Sequence, residues 1–152
     1  MHPTLPRSDA LEFLRLLWAI DHGLRQRSKR MAQELGVTGV QRVVIRVVQQ
    51  YPSITPGQLA GILHLHPSTL TGVIQRLQRR GFVAKRIDGA DRRRWHLALT
   101  PRGRAIDRRN DGTVEFEIKE VLARLQPDEV RAAQKALAAI GDRLAVLRNR
   151  SP

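Results

Sequence analysis

The stretch HPSTLTGVIQRLQRRGFVAKRIDGADRRRWHLALTPRG, residues 66–103, changes its hydrophobic period halfway along, and that change decides the fold. From Pro67 onward, Leu70, Val73, Ile74 and Leu77 occupy positions i, i+3, i+4 and i+7, one face of a helix that Gly81 ends. Beyond Gly81 the period shortens. Phe82 to Ile87 and Trp95 to Leu99 are β-prone runs on either side of Asp88-Gly89-Ala90-Asp91-Arg92-Arg93-Arg94, which predicts a hairpin with a charged tip. Thr100-Pro101 then opens another helix.

Upstream, Thr55-Pro56-Gly57-Gln58 is a T-x-x-Q capping box with proline at the first helical position, predicting a short helix through Leu59, Ile62 and Leu63. The turn around His64-Leu65-His66 joins it to the helix that follows, giving a helix-turn-helix. Thr38 and Gln41 form a second box, followed by a stripe of Val40, Val43, Val44, Val47 and Val48 down to Tyr51-Pro52. Before it, Asp9 and Glu12 start a long helix over about residues 9–35, with Leu11, Leu14, Leu17, Trp18, Leu24, Met31 and Leu35 at helical spacing and Gly36 as its stop. Residues 1–7 carry no pattern and read as a short arm.

Downstream, the helix opened by Thr100-Pro101 is expected to continue through Ile106, Val114, Ile118 and Leu125, with a bend or fraying at Asn110-Asp111-Gly112. Gln126-Pro127-Asp128-Glu129 starts the last helix, with an apolar stripe from Val130 to Leu147. The expected fold class is mainly α with a small β-hairpin wing: six helices, the hairpin lying between the fourth and the fifth. The chain reads as a single unit, with a winged helix-turn-helix over residues 38–100 flanked by segments 8–35 and 101–148.

Charge points to the partner. The chain holds 27 Lys+Arg against 14 Asp+Glu, a formal net charge of +13, which favours a polyanion over an acidic small substrate. Segment 55–104 carries ten of the basic residues and only Asp88 and Asp91, a balance of +8 (10 − 2) at the winged region. With Leu70, Val73, Ile74 and Leu77 facing inward, Ser68, Gly72, Gln75 and Arg79 turn outward, flanked by Thr71 and Arg76. Ser, Thr and Gln can bond base edges or phosphates, and Gly72, costly inside a helix, removes a side chain where backbone must approach a groove wall. His66 suits an N-cap or a phosphate contact at the helix start. On the hairpin, Arg92, Arg93 and Arg94 share a loop that Asp88 and Asp91 can brace, and a guanidinium there suits a narrow, electronegative minor groove.

The run Leu77-x-x-x-Gly81-Phe82-Val83, then Arg86, Asp88, Asp91-Arg92-Arg93 and Leu97-x-Leu99-Thr100-x-x-Gly103, resembles the MarR family of bacterial regulators. Thr38-x-x-Gln41, Leu59-Ala60 and Pro67-Ser68-Thr69-Leu70-Thr71-Gly72 fit the same family. The resemblance implies a homodimer joined by the first and last two helices, a palindromic operator, and relief of repression by a small aromatic or anionic effector. It also implies that Arg93 enters the minor groove with Asp91 bracing it, and that Thr69 and Arg86 belong to the DNA-facing set. An effector cleft in such proteins would here involve Trp18, His22, Arg25 and the start of the second helix.

The dimer has a second, independent argument: the terminal helices carry broad apolar stripes although the winged unit already supplies a core, so they need another surface. The remaining classes are excluded by what is missing from the pattern. There is no cysteine, hence no disulfide, thiolate zinc site or thiol sensor. His64, His66 and His96 are poorly spaced for one ion, and no metal or other cofactor is expected. No phosphate loop, serine elbow or carboxylate pair suggests an enzyme. The apolar run Leu11 to Ile20 is interrupted by Glu12 and Arg15, so neither a membrane span nor a signal peptide is expected and the cytoplasm is the expected location. Two rivals remain: a nonspecific basic nucleic-acid or nucleoid protein, and an anionic-membrane surface protein, which would need a basic amphipathic helix rather than a basic hairpin.

Overall fold

A computed structural model of the chain describes residues 9–87, 89–91 and 93–148; the expected arm 1–7 and the wing residues Asp88 and Arg92 lie outside the described residues. The element order is α1 (Asp9–Glu34), α2 (Gly39–Gln50), α3 (Pro56–Leu63), α4 (Pro67–Arg79), β1 (Val83–Ile87), β2 (Trp95–Leu99), α5 (Pro101–Asp107), α6 (Val114–Leu122) and α7 (Pro127–Arg148). These gather into two compact units, one reaching to Val114 and one beginning at Glu115.

Each helix of the winged region begins where a side chain satisfies its orphan N–H groups. Thr38 and Thr55 accept from the backbone N–H of Gln41 and Gln58, whose side chains return to the cap residues in reciprocal boxes. His66 caps α4, its Nδ1 accepting from the Ser68 N–H at 3.2 Å. Stops are equally local. Gly36 and Gly81 take left-handed φ of 77° and 71°, and at Gly81 the Phe82 N–H bonds Leu77 O while the Gly81 N–H bonds Gln78 O, a complete Schellman ending.

The hairpin is antiparallel, with Val83 opposite Leu99 and Ile87 opposite Trp95. Its second strand is tied to the α2–α3 connection by Leu97 N–H to Ile54 O at 2.9 Å. One core joins these pieces: Leu70, Val73, Ile74 and Leu77 of α4 bury against Val44, Ile45, Leu59, Phe82, Val83, Leu97 and Leu99. The expected inward face of α4 is therefore the observed one.

Two expectations need correction. There are seven helices among the described residues, not six, because the predicted fifth is broken into α5 and α6, and α6 ends at Leu122 rather than Leu125. The break falls at Asn110-Asp111-Gly112: Gly112 takes φ 75°, and the Thr113 N–H and hydroxyl both bond Asn110 O, closing a turn. Two carbonyls at the end of α5 also accept from a residue of α2. Arg42, fully buried, donates to Ile106 O and to Asp107 O (3.0 Å), while Arg46 pairs with the Asp107 carboxylate at 3.1 Å. The core stripe of α2 is also rotated from the one expected. Gln41, Arg42, Val44, Ile45 and Val48 are buried, whereas Val40 and Val43 stand exposed.

Candidate nucleic-acid interface

The outer side of α4 presents what its sequence pattern implied: Ser68, Thr69, Thr71, Gln75, Arg76 and Arg79 are exposed, and Gly72 lies half-buried between them. Several of these are held by the helix itself. The Thr71 hydroxyl donates to Pro67 O at 2.8 Å, the Ser68 hydroxyl meets His66 Nδ1 at 2.6 Å, and Arg76 Nε donates to Gly72 O at 3.1 Å. An alanine methyl at Gly72 would meet nothing nearer than the end of Arg76, at 3.4 Å. Packing inside the molecule therefore does not demand glycine there.

On the wing, Arg86, Arg93 and Arg94 are exposed. Asp91 gives one carboxylate oxygen to the Arg93 backbone N–H (2.9 Å) and the other to Arg94 Nε (3.7 Å). The bracing contact to Arg93 is thus made to its backbone, leaving the guanidinium on the exposed tip. Toward the tip end of the hairpin strands, Lys85 lies over the Trp95 ring at 4.5 Å.

The motif Leu99-Thr100-x-x-Gly103 has a structural reason. The Thr100 hydroxyl donates to Gly81 O at 2.6 Å and accepts from the Gly103 N–H at 3.0 Å, latching the end of the hairpin to the start of α5. Gly103 packs so closely that a Cβ would stand 2.0 Å from Phe82 O. Only glycine fits at this contact between the start of α5 and the Phe82 backbone.

The residues expected at an effector cleft are only partly brought together. A recess of about 600 Å³ opens between α1 and α2, walled by Leu24, Val40, Val43, Leu63, Leu65 and Val114, with Arg25, Lys29 and Asp21 at its margin. Arg25 lines it and pairs with Asp21 at 2.9 Å. Trp18, 66% exposed, and His22, bonded to Gln26 at 2.8 Å, do not. The exposed valines of α2 supply the apolar wall, a role foreshadowed by more valines than one buried face can use. Among the described residues no cluster of three or more His, Asp or Glu could hold a metal, and no helix is long and apolar enough to cross a membrane.

Comparison with known proteins agrees with this geometry. Residues 37–95 match the sequence model of the MarR family. The HTH-type transcriptional repressor Rv2887 of Mycobacterium tuberculosis is 29% identical over 126 residues, covering 83% of this chain and 91% of that protein. Among solved structures, the Staphylococcus aureus MepR–DNA complex superposes with a TM-score of 0.70 at 17% identity, over 84% of this chain and 95% of that one. Streptococcus pneumoniae FabT in complex with DNA gives 0.67 at 22% identity, over 91% and 99%. With the helix order, the wing and its Leu-Thr-x-x-Gly latch, these matches show a winged helix-turn-helix fold, and over residues 37–95 the chain is similar to the MarR family of regulators.

Proposed function

We propose that this protein is a DNA-binding transcriptional repressor that acts in the cytoplasm as a homodimer on a palindromic operator and is released by a small effector. The carrying observation is the pairing of an exposed polar face on α4 with an arginine tip on the adjoining wing. In this reading α4 enters the major groove, where Gln75 can bond adenine in bidentate fashion and Ser68, Thr69, Thr71, Arg76 and Arg79 meet base edges or phosphates. Arg93 enters the minor groove, with Arg86 and Arg94 beside it. The DNA complexes of MepR and FabT, and the repressor name of Rv2887, support this assignment.

The dimer is supported by apolar surface left uncovered at both ends of the chain. On α1, Leu11, Phe13, Leu14, Leu16, Trp18 and Ile20 are exposed; in the other unit Phe116, Ile118, Val121, Leu137 and Leu144 are. The effector reading rests on the recess between α1 and α2, whose apolar wall and marginal Arg25 and Lys29 suit a small aromatic carboxylate.

Titration of one palindromic operator against random duplex of equal length tests the function, together with sedimentation of the free protein. The expected outcome is a dimer that persists at high salt and prefers the operator by about a thousandfold or more, with half-sites about one helical turn apart. A ratio near unity would establish the nonspecific nucleic-acid-binding alternative, and a well-folded monomer at micromolar concentration would remove the two-fold model.

A further inference from the structure

A basic recess that shares Arg76 and Arg79 with the outer side of α4 lies where the α1–α2 corner meets the C-terminal end of that helix. Arg76, Arg79 and Arg80 line a recess of about 360 Å³ whose opposite wall is Gly36, Thr38 and Gln41, and among the described residues no carboxylate lines it. Three guanidinium groups around one concavity repel one another unless an anion is shared. Two of them are held in place all the same. Arg76 is tied by its Nε to Gly72 O at 3.1 Å, and Arg80 donates to Gly36 O while its guanidinium stacks 5.1 Å from the centre of the Phe82 ring. The opposite wall carries the capping box that opens α2, so the positive end of that helix adds to the same field.

We propose that this recess is a phosphate-binding site. Planar guanidinium forks match the oxygens of a phosphoryl group in bidentate geometry, and groups pre-oriented by backbone and ring contacts lose little freedom on closing around it. The same chemistry is offered by a backbone phosphate of duplex DNA and by a free phosphorylated small molecule. Only the first source rests on the operator-binding function proposed above.

Pyrophosphate is the probe, titrated into the full chain without DNA at constant ionic strength held by sodium chloride. The expected result is saturable binding at one site per chain, weakened about tenfold or more in Arg79→Gln and in Arg76→Gln, and unchanged in Lys135→Gln on α7. Circular dichroism confirms that each variant is folded, so a loss reads the site and not the fold. Random-sequence duplex is then titrated with and without pyrophosphate. Competition that disappears in Arg79→Gln identifies the backbone phosphate as the natural occupant; absence of competition beside intact pyrophosphate binding identifies a free phosphorylated molecule. Heats or shifts that do not saturate, or that survive both arginine substitutions, overturn the site. Because the probe binds without DNA, failure here leaves operator binding standing, and a protein that takes pyrophosphate but ignores the operator fails only the other reading.

Discussion

Replacing Gly72 with alanine should move stability and DNA affinity in opposite directions. Glycine inside a helix costs about 0.5–1 kcal/mol relative to alanine, through the backbone freedom it surrenders on folding. Here nothing offsets that gain, since the new methyl meets only the flexible end of Arg76 at 3.4 Å. At about 2–4 °C per kcal/mol for a chain of this size, the unfolding midpoint should rise by about 1–4 °C. On DNA the same methyl stands on the exposed side of α4, between Ser68 and Gln75, where the proposed groove wall approaches the backbone. Overfilling a close contact costs about 1–3 kcal/mol, so affinity for a labelled operator should fall about fivefold to a hundredfold. Thermal unfolding by circular dichroism and anisotropy titration of one preparation, at one protein concentration, read both quantities. A stabilised variant that keeps wild-type affinity would refute the groove contact at Gly72, and a destabilised one would refute the account of free space around it.

Gly103→Ala should do the reverse: its methyl would sit 2.0 Å from Phe82 O, a backbone atom, so a loss of about 1–3 kcal/mol or more is expected in denaturant unfolding. Arg42→Met keeps the bulk of a buried side chain but removes the charged hydrogen bonds that Arg42 donates to the carbonyls of Ile106 and Asp107, which should cost about 1–3 kcal/mol by the same measurement. Arg93→Ala should weaken operator and random duplex alike and lower the slope of log K against log salt by up to about one unit, whereas Gln75→Ala should leave the slope nearly unchanged and cost roughly 1–3 kcal/mol on the operator alone. Unchanged affinity and slope in Arg93→Ala would mean that the wing does not touch DNA.

Much of this molecule is written in signals that act over a few residues. The capping boxes at Thr38/Gln41 and Thr55/Gln58, the His66 cap, the Gly36 and Gly81 stops and the shift to a two-residue period after Gly81 each bring their own partners within a turn or two. They specify the helix-turn-helix, the wing and the outward set on α4 before any long-range packing is known. What the sequence by itself left undecided depends on partners far away along the chain. Nothing near Arg42 in the sequence names its partners; the carbonyl of Ile106 that it bonds lies 64 residues later. Arg80 meets Gly36 across 44 residues, and without that meeting the three arginines at the end of α4 would be a solvated charge run and not a recess. The rotation of α2 that exposes Val40 and Val43 has the same origin. A helix with more apolar positions than one face can bury takes its orientation from the neighbours it packs against, and only the tertiary fold names them.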